Sequence, residues 1–158
     1  MAQSEQEVGH VQIRKTVRQL LLEKGTTVYT VAPDASVFDA LQLMADKNVG
    51  ALPVVAGGQL VGIFSERDYA RKVILHGQAS RETPVSAIMT SNVVTVSPEQ
   101  DLSDCMRIMT DKRIRHLPVI EGGRQVGVLS IGDVMKAVLA EQEFLIGQLS
   151  SYIGGATV

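Results

Sequence analysis

The chain is poor in the groups on which much protein chemistry depends. One cysteine in 158 residues rules out an intrachain disulfide and makes a reducing, cytoplasmic location the expectation. Fifteen Lys and Arg against 17 Asp and Glu leave a net charge of −2. A broad electrostatic surface for nucleic acid or anionic membrane is therefore not expected. No apolar run approaches the roughly 18 residues that a membrane-spanning helix needs. The opening Met1-Ala2-Gln3-Ser4-Glu5-Gln6-Glu7 is polar and acidic, unlike a secretory leader. His10, His76 and His116 have no metal-ligand spacing, and no Gly-Lys-Ser/Thr follows Gly57-Gly58 or Gly122-Gly123. Without a nucleophile–base pair in a convincing context, the expectation is a binding protein and not an enzyme.

What the chain does have is itself, twice. Residues 28–75 return as residues 93–140 at a constant offset of 65 without a gap, with 18 identities in 48 aligned pairs. Thr30-Val31-Ala32-Pro33 matches Thr95-Val96-Ser97-Pro98, and Leu52-Pro53-Val54-Val55 matches Leu117-Pro118-Val119-Ile120. Gly62-Ile63-Phe64-Ser65-Glu66-Arg67-Asp68 matches Gly127-Val128-Leu129-Ser130-Ile131-Gly132-Asp133. Two copies of one small unit, each too short to close a core alone, are expected to pack together.

Within each copy the pattern predicts β-α-β-β-α. Thr26–Val31 and Asn92–Val96 read as strands closed by Pro33 and Pro98. Val37, Ala40, Leu41 and Met44 follow helical spacing, as do Leu102, Cys105, Met106 and Met109. Ser36 and Asp101 are the expected caps of these helices. Ala51–Val55 with Leu60–Phe64, and His116–Ile120 with Gln125–Leu129, read as hairpins around paired glycines. A second helix starts after Ser65 and Ser130. Val11–Lys24 predicts an amphipathic lead helix, Glu141–Ile153 a helical tail, and residues 1–10 a disordered arm. The expected division is 1–10, 11–78 (first repeat with lead helix), 79–145 (second repeat) and 146–158 (tail), in an α+β fold.

The order proline, amphipathic helix, Leu-Pro-Val, Gly-Gly, then Gly-h-h-Ser-x-x-Asp, present twice in register over about residues 11–145, resembles a tandem pair of cystathionine β-synthase (CBS) domains. The resemblance implies two repeats joined about a pseudo-twofold axis, with two clefts between them. Such clefts often hold an adenosine-containing ligand (AMP, ADP, ATP or NAD). It further implies a homodimer and an effector protein that reads the ligand state, with no obligatory cofactor.

The candidate residues follow. Ser65 with Asp68, and Ser130 with Asp133, have the spacing of a helix-capping pair, which by itself is a structural feature. The same geometry offers free N–H groups to a phosphate and a carboxylate to a ribose diol. Both readings stand on the sequence. Ile114-Arg115-His116-Leu117 aligns with Val49-Gly50-Ala51-Leu52, a basic pair against two small residues. The resemblance places this stretch of one repeat in the cleft holding the aspartate of the other. Arg115 and His116, with Arg113 nearby, are thus expected beside Asp68, and Gly50 and Ala51 beside Asp133. Arg67 is either a surface residue or a phosphate contact, and Gly132 replaces it in the second copy. The two sites are expected to differ, with the Asp68 cleft favouring anionic nucleotides. Cys105 takes the place of Ala40 and reads as an inert, packed thiol.

Overall fold

A computed structural model of the chain describes residues 14–25, 27–77 and 79–155. The expectations for residues 1–10, for Val11–Ile13 of the lead helix and for Thr26 fall outside the described residues. Helix α1 spans Val17–Lys24, starting later than the sequence pattern predicts because Thr16 builds a capping box with Gln19. Helix α2 (Val37–Lys47) and the hairpin β1 (Ala51–Ala56) and β2 (Gln59–Ser65) follow. Helix α3 (Glu66–Asp68) runs directly into a π-helical turn and a half, Tyr69–Ile74. The second copy repeats the order as α4 (Leu102–Lys112), β3 (His116–Glu121), β4 (Arg124–Ser130) and α5 (Ile131–Gly155).

The opening strand of each repeat shrinks to a single parallel bridge, Val31 to Val54 and Val96 to Val119. Val31 N–H donates to the Pro53 carbonyl and Val55 N–H to the Val31 carbonyl, at 3.0 and 2.9 Å. Pro33 and Pro98, two residues on, turn the chain away before a longer ladder can form. Both hairpins carry an irregularity at the same aligned place, Val54/Val55 and Val119/Ile120. The expected Asp101 cap is not made by its side chain. The antiparallel bridge between Thr16 and Asp101 brings Lys15 up, and its carbonyl accepts the Leu102 N–H at 2.9 Å, satisfying that end of α4 through backbone instead.

That bridge is one half of a reciprocal exchange. The segment before the second repeat packs on the first: Val85 N–H donates to Ala35 O and Ser86 N–H to Pro33 O. The segment before the first repeat packs on the second in the same way, Val17 N–H to Gln100 O and Arg18 N–H to Pro98 O. The cores show the same crossing. Val17, Leu20 and Leu21 sit with Leu102, Leu117 and Leu129 of the second repeat, whereas Val85 and Ile88 sit with Val37, Leu52 and Phe64 of the first. The approach is close enough to require glycine. A Cβ on Gly127 would lie 2.6 Å from Leu21 Cδ2, and one on Gly62 would lie 2.5 Å from Met89 Sδ and 3.0 Å from the Thr90 carbonyl. Neither repeat is complete without residues that precede its twin.

Candidate functional site

Strands β2 and β4 pack across the repeats, and two cavities open between the halves. One, about 370 Å³, is lined by Ser65, Arg67, Asp68, Arg115 and His116 among others; the second, about 410 Å³, by Gly50, Ala51, Ser130, Asp133 and again His116. The structure thus brings these residues together in the pairing that the resemblance implies. Arg113 is the exception. It caps α4 in a left-handed conformation (φ 53°), and its side chain is not part of either lining. Its carbonyl instead accepts a hydrogen bond from Arg67 Nη1 at 2.7 Å, so Arg67 spans from one repeat to the other at the mouth of the Asp68 cleft.

Both capping pairs form. Asp68 Oδ2 lies 3.1 Å from Ser65 N–H and from Ser65 Oγ, and Asp68 N–H donates back to that hydroxyl at 3.2 Å. Asp133 Oδ2 accepts from Ser130 N–H at 2.9 Å, and Asp133 N–H donates to Ser130 Oγ at 3.1 Å. The capping role is therefore real, and it fixes each carboxylate at the wall of a cleft. The exchanged segments then reach each carboxylate with different chemistry. Thr90 Oγ1 donates to Asp68 Oδ1 at 3.2 Å, whereas Lys24 Nζ reaches Asp133 Oδ2 at 2.6 Å and also donates to the Val128 carbonyl at 2.9 Å. Burial works to raise the Asp133 pKa, but the hydrogen bond from the Lys24 ammonium, the Ser130 N–H and the Lys24 charge outweigh it. The carboxyl is held below its ordinary range.

Charge separates the clefts more than size does. Arg67, Arg71, Lys72 and Arg115 face Glu66 and Asp68 in the first, a formal excess of two positive charges by 4 − 2. In the second, Lys24 and Asp133 cancel. Lys72 Nζ lies 3.4 Å from Asp68 Oδ1, a contact long enough for an incoming hydroxyl to displace. Lys24, Arg71, Lys72 and Thr90 escaped the sequence reading. The i,i+4 spacings Arg67–Arg71 and Asp68–Lys72 were a visible signal for two of them. Lys24 and Thr90 reach their sites only through the exchange of leading segments, which a linear repeat does not display.

His116 belongs to both cavities. Its Nε2 would stand 3.4 Å from a Cβ placed on Gly50, the other residue common to both linings. Burial, aided by the Lys24 and Arg115 charges and opposed by Asp133, pushes the imidazole below its ordinary pKa. Cys105 is buried on α4, and burial pushes its thiol up to about 11, away from any nucleophilic role at neutral pH. Among the described residues no group of His, Cys, Asp and Glu is arranged to hold a metal, and no helix is long and apolar enough to cross a membrane.

A duplicated helix-and-hairpin unit, with halves that trade leading segments and enclose two clefts walled by capping aspartates, defines a paired-repeat module. The model of the CBS domain matches residues 17–74 and 85–140, and the chain belongs to the CBS domain family, carrying two copies. It is 46% identical over 127 residues to CBSX3 of Arabidopsis thaliana, a CBS domain-containing protein named as mitochondrial. That match takes in 77% of this chain and 62% of the plant protein. A crystal structure of a CBS-domain containing protein from Agrobacterium tumefaciens superimposes with a TM-score of 0.74 at 43% identity, covering 78% of this chain and 98% of that one. A hexameric CBS-CP12 protein from bloom-forming cyanobacteria gives 0.69 at 29%, covering 77% of this chain and 70% of the other.

Proposed function

We propose that the chain is a regulatory sensor of adenine nucleotides (AMP, ADP, ATP or an NAD-like compound), with the Asp68 cleft as its tighter site. One observation carries the reading: an aspartate on a capped helix start sits in an inter-repeat cleft bordered by four cationic side chains. In this reading Asp68 accepts from the ribose hydroxyls in place of Lys72, and the phosphates lie toward Arg67, Arg71 and Arg115. The ligand touches both repeats, so it favours whichever inter-repeat geometry it fits, and an effector protein responds to that geometry. The protein acts as a homodimer and not as an enzyme, and it works in the cytoplasm; the single cysteine supports a reducing location.

A thermal-shift panel of AMP, ADP, ATP, NAD and S-adenosylmethionine tests the reading. Ligand at 100 times its Kd adds about 2.7 kcal/mol, roughly 5–10 °C in Tm for a chain of this size. Flat curves across the panel reject it. The complete capping boxes at Ser65–Asp68 and Ser130–Asp133 favour the other reading, a constitutive oligomeric scaffold in which these residues only cap helices. In that case the panel stays flat, and Asp68→Ala costs only a lost cap, about 0.5–2 kcal/mol.

A further inference from the structure

Helix α5 does not stop where the second repeat ends. It continues from residue 140 for about four more turns, past the residues that match the CBS model, to Gly155. Its first turns use Val134, Ala137 and Val138 to close the second core. A different stripe faces outward. Met135, Leu139, Ile146, Leu149 and Ile153 are 47–65% exposed, and with Gln142 they recur at alternating steps of four and three residues along the helix. That is a heptad seam, with Leu139, Ile146 and Ile153 at a and Met135, Gln142 and Leu149 at d. Lys136 and Glu143 flank this stripe at e, and the arc opposite it holds Ala140, Phe144, Gly147 and Ser151.

We propose that this seam pairs with the same seam on a second copy of the chain, as a parallel, in-register two-stranded coiled coil. Three observations select that occupant. An a/d repeat of 3.5 residues fits knobs into holes of a second helix with the same repeat, and the central pair Ile146 at a with Leu149 at d is the combination that favours two parallel strands. Gln142 is the one polar residue in the stripe, and only the in-register parallel pair sets it against its own twin and not against an apolar side chain. The surface is also large enough. Leu145 and Tyr152 flank the stripe at 48% and 82% exposure. At roughly 100 Å² for each of the seven apolar side chains, one helix offers about 700 Å², close to the ~800 Å² each partner gives to a stable interface. The pairing rests on the homodimer proposed above and gives it an interface; it would bring the two globular bodies together at one end of the coil and does not depend on nucleotide binding.

The test is the oligomeric state of the full chain by sedimentation velocity, compared with Ile146→Asp/Leu149→Asp and with Ser151→Asp on the far arc. The double variant should halve the assembly, and Ser151→Asp should leave it unchanged. Both altered seam positions are exposed in the monomer, so the thermal unfolding of the globular part serves as the folding control. Leu149→Cys should form a covalent dimer under oxidising conditions, because parallel pairing sets the two d positions opposite each other. A monomeric wild type, an assembly indifferent to the double variant, or a Leu149→Cys protein that stays uncrosslinked would each overturn the proposal. So would a seam covered by residues 1–13 of the same chain, seen as dimerisation appearing only when they are deleted.

Discussion

Removing the Lys24 ammonium isolates the difference between the two clefts. In the folded chain Lys24 holds one oxygen of Asp133 at 2.6 Å and the Val128 carbonyl at 2.9 Å. The lysine is 40% exposed and the aspartate 21%, so solvent screens the pair, and Lys24→Ala should cost about 1 kcal/mol, or 2–4 °C in Tm. The pH dependence has a definite sign. Asp133 has a folded pKa below its unfolded value, so its contribution is complete above about pH 4 and disappears as pH falls through the folded pKa. Urea unfolding should therefore show wild type and Lys24→Ala separated at pH 7 and converging on acidification below that range. Carboxyl ¹³C titration should show the Asp133 pKa rising in the variant. Freed of its ammonium, Asp133 keeps only its bond from Ser130 N–H on Oδ2 and is more open to a diol, so calorimetry with adenosine should show tighter binding at the second, weaker site than in the wild type. An Asp133 carboxyl that titrates identically in the two proteins would refute the electrostatic reasoning. Unchanged affinity at the weaker site would refute its extension to the second cleft.

Three further outcomes are expected. Arg113 holds a left-handed backbone at φ 53° without lining a cleft, so Arg113→Gly should stabilise by about 1 kcal/mol in thermal unfolding and leave nucleotide affinity unchanged. His116 is held below its ordinary pKa, so the stability of the neutral imidazole is complete above about pH 6.5 and is lost as pH falls through the folded value. His116→Gln should flatten that acid-side loss, and an anionic ligand should raise the His116 pKa in an NMR titration. Gly62→Ala should destabilise by about 1–3 kcal/mol, because its Cβ meets Met89 and a backbone carbonyl, whereas Gly50→Ala meets His116 at 3.4 Å and should cost less in chemical denaturation.

The repeat carried most of this architecture because duplication shows up residue by residue. Ser65, Asp68, Ser130 and Asp133 could be placed at helix starts from local spacing alone, and Arg115 and His116 stood out as departures from the pattern of the other copy. What spacing could not show was which copy each leading segment serves. Val17–Lys24 has an ordinary amphipathic pattern, and nothing in it indicates that Leu21 fills the space over Gly127 and not over Gly62. Lys24 read as a helix terminus for the same reason. Its role depends on a contact 109 residues away, and only the tertiary fold brings the two together. Asp101 shows the reverse case: a residue with strong local capping character was overridden by backbone from Lys15. The π-helical turn after Asp68, which carries Arg71 and Lys72 to the cleft, has no signature in a heptad or 3.6-residue pattern.

The central claim is that the Asp68 cleft binds a ribose through its carboxylate and phosphates through its cationic rim. Isothermal titration of the full chain with adenosine, AMP and ADP, repeated on Asp68→Asn, tests it directly. Affinity should tighten with each added phosphate. Asp68→Asn should weaken all three ligands by about 10–100-fold, the loss of hydrogen bonds to a charged acceptor. Equal affinity for adenosine and ADP, or an Asp68→Asn protein that binds like the wild type, would contradict the account.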